Sequence, residues 1–176
     1  MCQVSADFRR GVELANILLV GACPGREEEQ NGRPFVGTAG QYLRSMFRTL
    51  NLHWPCFFPS ADPDEYSMLN ANPLPRYRAR AGFGSLTQPT KTEVMAAENR
   101  VRVRSLLILV NPERVLYLGN AAEFIDPIVN EVLPDTQVFR TGHPSPTAWN
   151  TKANYRGMTR EEKLERWTRD QFRQRR

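Results

Sequence analysis

Three short stretches of the 176-residue chain hold the residue types that bind or react. Gly21-Ala-Cys-Pro-Gly25, running on to Gly40, contains five of the eleven glycines and the acidic run Glu27–Glu29. Asn70-Ala-Asn-Pro-Leu-Pro75 is the second stretch. Gly142-His-Pro-Ser-Pro-Thr-Ala-Trp149, the third, carries one of only two histidines. Glycines placed behind a strand let backbone N–H groups approach a phosphate or a base. No Gly-Lys-Ser/Thr follows, so the first stretch is not a Walker phosphate loop, and its glycine spacing does not fit the G-x-G-x-x-G dinucleotide fingerprint. Three adjacent glutamates are ordinarily a solvated turn. The other histidine, His53, lies in a Trp-Pro loop and reads as structural.

The elements that must position these stretches follow from apolar periodicity. Ile17–Val20 reads as a short buried strand opening into the glycine loop. Tyr42, Leu43, Met46, Phe47 and Leu50 recur at helical spacing, giving a helix capped by Thr38 and running to about Leu50. Tyr66–Asn70 is a second strand. Residues 73–90, rich in Pro, Gly and Arg, read as a loop. A single long helix is expected over Thr92–Val110, stopped at Asn111-Pro112. Val115–Leu118 is a third strand, followed by a helix near 121–131. Gln137–Arg140 is a fourth strand, and the tail from about 159 to 173 is helical. Strands alternating with helices predict one α/β domain over residues 1–176, a three-layer α/β/α sandwich around a central, largely parallel four-stranded sheet. In such sheets sites form where the C-terminal ends of strands spill into loops, which is where all three stretches fall.

Composition narrows the class of partner. The net charge is +5, and residues 151–176 account for all of it, with nine Lys/Arg against four Asp/Glu. A basic C-terminal helix suits contact with a polyanion, or alternatively is a solvated, partly frayed end. Cys2, Cys23 and Cys56 form no C-x-x-C pair, which fits a reducing, cytoplasmic setting and makes no case for a metal or disulfide. Val20-Gly-Ala-Cys23 behind Arg9-Arg10 imitates a lipoprotein cleavage site, but its apolar core, Ile17–Val20, is too short for a signal region. No run approaches the ~18 apolar residues of a membrane span. A monomer is expected.

Gly21-Ala-Cys-Pro-Gly25, Asn31-Gly-Arg-Pro-Phe-Val-Gly37, Ala39-Gly40 and Gly142-His-Pro-Ser145 together resemble the uracil-DNA glycosylase superfamily. The likeness is greatest to its family 4 branch, whose first motif is Gly-Glu-Ala-Pro-Gly with a downstream Gly-Arg-Pro-Phe-Val-Gly. Asn70 matches the family's Asn at the end of the second core strand. The order and approximate spacing hold over roughly residues 15–150. The resemblance implies an enzyme that takes a pyrimidine out of the DNA stack and hydrolyses its N-glycosidic bond, leaving an abasic site. It is taken as monofunctional, with uracil or a damaged or modified pyrimidine as the base.

Roles carry over residue by residue. Cleavage leaves negative charge on the departing base, and His143 is the residue to stabilise it through a hydrogen bond to O2 that strengthens in the transition state. Asn70 would read the pyrimidine edge, because an amide offers a donor and an acceptor side by side. Phe35 would stack on the base, a contact worth ~1–3 kcal/mol. Gly21, Ala22, Cys23, Pro24 and Gly25 would line the pocket. Ser145 would meet a phosphate and, with Pro146, lie in the loop that enters the duplex, where Thr147, Ala148 or Trp149 would fill the gap; Trp149 reads equally as a core residue. Arg76, Arg78 and Arg80 would add phosphate attraction.

Two departures qualify the resemblance. Family 4 carries a cysteine-ligated iron–sulfur cluster, yet Leu74 stands at one ligand position and four cysteines are lacking, so no cofactor is expected. Ala22 replaces the motif's Glu, which removes the group expected to position water. Glu28, or Asp62 and Asp64 before the second strand, are the substitute carboxylates. The competing reading is a catalytically weak module that recognises a flipped or modified base in DNA.

Overall fold

The computed structural model describes residues 5–12, 16–78, 82, 86–150 and 155–173. A five-stranded sheet runs through the middle, formed by β1 (Phe8–Arg9), β2 (Ile17–Gly21), β3 (Ser67–Asn70), β4 (Arg114–Leu118) and β5 (Gln137–Thr141). Its order is β1-β3-β2-β4-β5. β2 to β5 run parallel, whereas β1 lies antiparallel along β3, with Phe8 opposite Leu69 and Arg9 opposite Met68. The parallel strands are the four expected ones; the fifth is an edge of only two residues, too short to leave a periodic signal.

The alternation of side chains along each strand builds two cores. Ile17, Leu19, Met68, Leu116 and Leu118 face helices α2 (Thr38–His53) and α7 (Arg160–Arg173), where Leu43, Phe47, Leu164 and Trp167 meet them. Leu18, Val20, Leu69, Val115 and Tyr117 point the other way, onto α4 (Ala97–Val110) and α5 (Asp126–Val132). Strands buried on both faces are the mark of an α/β sandwich, and the expected three layers are present.

Three local differences from the expected elements have physical causes. The glycine loop contains a six-residue helix, α1 (Arg26–Asn31). Gly25 begins it, Glu28 accepts from the Gly25 amide, and Gly32 closes it in the left-handed region at φ 61°. The run Glu27–Glu29 therefore occupies a helix first turn, where carboxylates oppose the exposed N–H groups favourably. The long helix expected over 92–110 is broken into α3 (Lys91–Val94) and α4. At the break Asn99 Nδ2 donates to Val94 O at 2.7 Å, taking a carbonyl that a continuous helix would give to the backbone. In α2 the cap position belongs to Gly37, not Thr38, and the helix reaches His53.

Candidate active site

The end of β2 is the floor of the site. Gly21 is paired with Asn70 in the parallel register, and a Cβ built on it would stand 2.5 Å from Asn70 Oδ1 and 2.7 Å from Phe35 Cζ. The Asn70 amide and the Phe35 ring thus converge over the Gly21 α-carbon, and only glycine leaves them room. Beyond Gly21 the second loop continues the pairing: the amides of Ala71, Asn72 and Arg76 donate to the carbonyls of Gly21, Ala22 and Pro24 at 2.8–2.9 Å. Loops one and two are therefore a single wall.

Phe35 is held in a costly conformation. Its φ is +54°, a region that costs a non-glycine residue on the order of 1–3 kcal/mol. Glu28 accepts from its amide at 3.2 Å, and Arg44 Nη1 donates to its carbonyl at 3.3 Å. Gly40 lets the same carbonyl sit against the start of α2, where any Cβ would lie 1.7 Å from it. Glu28 spends one oxygen on Gly25 and the other on Phe35, and burial raises its pKa despite those bonds. It shapes the pocket as a clamp.

Asp62 and Asp64 lie in the 3-10 turn Pro63–Glu65 and its cap, before the N-terminal end of β3, while Asn70 stands at that strand's C-terminal end. Asp62 caps that turn through the Asp64 amide at 2.9 Å. Asp64 contacts Arg9 at 3.0 Å, Arg44 at 2.8 Å and Arg33 at 3.6 Å, and is connected to Phe35 through Arg44. Neither carboxylate is brought to Asn70.

The third stretch follows β5. His143 follows β5 by two residues and packs on Gly119, whose φ of +97° and lack of a side chain are both required, since a Cβ there would stand 3.1 Å from His143 Cβ. Burial lowers the His143 pKa, so the ring is neutral near pH 7. Among the described residues the ring makes no hydrogen bond. The loop is pinned from below by α7: Gly142 N donates to Gln171 Oε1 at 3.2 Å, and a Cβ on Gly142 would meet Trp167 at 2.9 Å.

Several residues lie elsewhere than the sequence suggested. Trp149, expected as a wedge candidate, is fully buried, edge-on to Tyr42 with centroids 5.3 Å apart, and its Nε1 donates to Pro144 O at 3.4 Å. It anchors the histidine loop from inside the core, so Thr147, which is exposed, is the outward group on the short helix α6 (Pro146–Trp149). Ser145 begins that helix, its hydroxyl 3.3 Å from the Thr147 hydroxyl, and Pro146 is its first residue. Arg76, expected at a phosphate, is 3% exposed and ion-paired with Glu93, with Nη1 donating to Gln88 O at 3.4 Å. Arg78 is exposed, and Arg80 lies outside the described residues. The Cys23 thiol faces Thr87 O at 3.8 Å and burial pushes its pKa up to about 12, which makes it inert near neutrality. Arg44 and Gln171 carry no signal in the sequence; Glu28, expected as a substitute carboxylate, could have been read as a clamp from its three-residue offset behind Gly25, the spacing of a helix capping box.

A sequence model of the Uracil DNA glycosylase superfamily matches residues 8–169. The chain belongs to that superfamily. Three type-4 uracil-DNA glycosylases are similar to it. That of Archaeoglobus fulgidus is 48% identical over 42 residues, 24% of this chain and 21% of the relative. That of Sulfurisphaera tokodaii is 45% identical over 40 residues, covering 23% and 18%. That of Thermotoga maritima is 28% identical over 110 residues, covering 60% and 46%. The matched part spans less than half the length of each of these relatives. No described helix is long and apolar enough to cross a membrane.

An iron–sulfur cluster of the family 4 kind does not fit this superfamily member. Leu74 offers no donor at the ligand position, and Cys56 is exposed beyond the far end of α2, a helix of about 24 Å. Among the described residues no three His, Cys, Asp or Glu gather to hold a metal.

Proposed function

We propose that this protein is a DNA glycosylase that accepts a flipped pyrimidine, uracil first, and hydrolyses its N-glycosidic bond. The observation that carries the reading is the convergence of the Phe35 ring and the Asn70 amide over Gly21, a stacking face and a hydrogen-bonding edge meeting at one glycine. A neutral imidazole behind β5, with no hydrogen bond among the described residues, supports the chemical half of it. As the glycosidic bond stretches, charge gathers on the base oxygens, and a pre-placed N–H donor from His143 stabilises that charge more than it stabilises the ground state. The cationic sugar then captures water. A strong base is not required for so dissociative a step, which accommodates Ala22 and the engagement of Glu28 and Asp64. The three lysines of the chain, Lys91, Lys152 and Lys163, belong to none of the three site loops, in keeping with hydrolysis by water alone and a monofunctional reaction. The exposed side chains of Arg78 and Thr147 are candidates for the DNA backbone and the duplex gap.

A second reading, a binding module that holds a flipped base without releasing it, is favoured by Ala22 alone. Oligonucleotides carrying one uracil, cytosine, thymine or modified pyrimidine, assayed for alkali-labile abasic sites, separate the two. Cleavage at uracil is expected. Tight binding with no cleavage of any member overturns the enzyme reading in favour of the module.

A further inference from the structure

Asn70 is held by a network that no role assigned so far explains. Its amide N–H donates to Asp7 O at 2.7 Å, and its side-chain Nδ2 donates to Ala6 O at 3.4 Å. Both carbonyls come from the segment leading into β1, a two-residue edge strand with little pairing of its own. What fastens that segment is Arg102 of α4, a side chain 21% exposed. Nη1 binds Asp7 Oδ2 at 2.7 Å, Nη2 donates to Asn70 O at 2.8 Å and to Ala71 O at 3.3 Å, and Nε donates to Asn99 Oδ1 at 2.9 Å. Asn99 in turn donates to Ala71 O at 2.8 Å. One guanidinium therefore ties the edge segment, the end of β3 and α4 together.

The consequence falls on the orientation of the Asn70 amide. With Nδ2 turned to the Ala6 carbonyl, Oδ1 points toward Gly21 and the pocket, where a Cβ on Gly21 would meet it at 2.5 Å. Rotating the amide by 180° would set Oδ1 against the Ala6 carbonyl, two acceptors with no proton between them. The edge presented to a base is thus an acceptor beside the second N–H of Nδ2. That matches a pyrimidine offering N3–H and a carbonyl, and it opposes one offering a bare N3 and an amino group.

We infer that Arg102 and Asp7 are positioning residues that lock the Asn70 amide in the orientation suited to uracil and against cytosine. The inference rests on the proposed role of Asn70, so its test has a readout independent of catalysis. In the full chain, Asp7→Asn keeps the size of the side chain and removes the ion pair, and Asn70→Asp identifies the Asn70 side-chain amide signals in ¹⁵N-edited NMR spectra. In the unsubstituted protein the two Nδ2 protons should be separately resolved and slow to exchange. In Asp7→Asn their exchange should quicken at least about tenfold while the thermal transition stays cooperative. The ratio of uracil to cytosine release should fall by a similar factor, with more of the change in kcat than in KM. Unchanged Nδ2 exchange in a folded Asp7→Asn protein overturns the lock, whatever the activity. Changed exchange with an unchanged uracil-to-cytosine ratio overturns its role in specificity. If the unsubstituted protein releases no base, the glycosylase reading fails by itself, and the exchange measurement still decides whether Arg102 and Asp7 hold the amide.

Discussion

Phe35 and His143 are held by different means. At Phe35 both backbone groups are claimed: Glu28 takes the amide, Arg44 takes the carbonyl, and Asp64 holds Arg44 in turn. On the His143 side, position comes from packing against Gly119 and from Trp167 and Trp149 beneath the loop, and the imidazole is left without a hydrogen bond among the described residues. The difference separates two tasks. A surface that stacks on a base needs only shape, so its hydrogen bonds can be used up in holding it. A group that meets developing charge needs an open donor, so its support must come from contacts that leave the ring nitrogens alone.

Three substitutions or titrations test that contrast. The largest effect is expected from His143→Ala, which should slow base release by about 10²–10³-fold, the range seen when one donor to a developing anion is removed. Because the ring makes no hydrogen bond among the described residues, the thermal midpoint should hardly move; single-turnover kinetics and a melting curve on the same preparation check both halves. A rate that survives the substitution would remove His143 from the mechanism.

Glu28→Ala should act in the reverse proportion. It leaves the Gly25 and Phe35 amides without their acceptor and should cost about 1–3 kcal/mol by urea denaturation. Phe35, no longer clamped, should relax from φ +54°, and the loss of activity should lie mostly in KM.

The smallest effect is expected from pH. Burial holds the folded His143 pKa below its ordinary value of about 6.5, so between those two values the unfolded chain binds the extra proton and the folded chain does not. Stability from this residue should therefore fall as pH drops below about 6.5, and His143→Gln should abolish that part of the slope. Over the same range kcat/KM should stay flat, bending only at the lower, folded-state pKa. A bend at or above pH 6.5 would contradict the neutral donor.

How far the sequence could be read follows the same division. The four parallel strands are legible because each is a short apolar run bounded by turn residues. The placement of the three glycine- and proline-rich stretches behind β2, β3 and β5 was legible for the same reason. Side chains whose role depends on a distant partner were not legible. Arg76 sits in a basic, proline-rich segment that reads as surface, and the Gln88 carbonyl and Glu93, twelve and seventeen residues on, help make burial tolerable. Trp149 reads equally as a wedge or as core, because nothing nearby in sequence reveals Tyr42 beneath it. Arg102 is one arginine of three in α4, and nothing local marks it as the one that reaches Asp7, 95 residues earlier.

The support of Gly142 by Gln171 and Trp167 has a consequence for synthesis. The ribosome delivers His143 well before the helix on which its loop rests. Until α7 has docked, the Gly142 amide lacks its acceptor and the loop lacks its floor. The hold on the histidine loop thus closes over contacts distant in sequence, whereas the clamp on Phe35 closes over local ones.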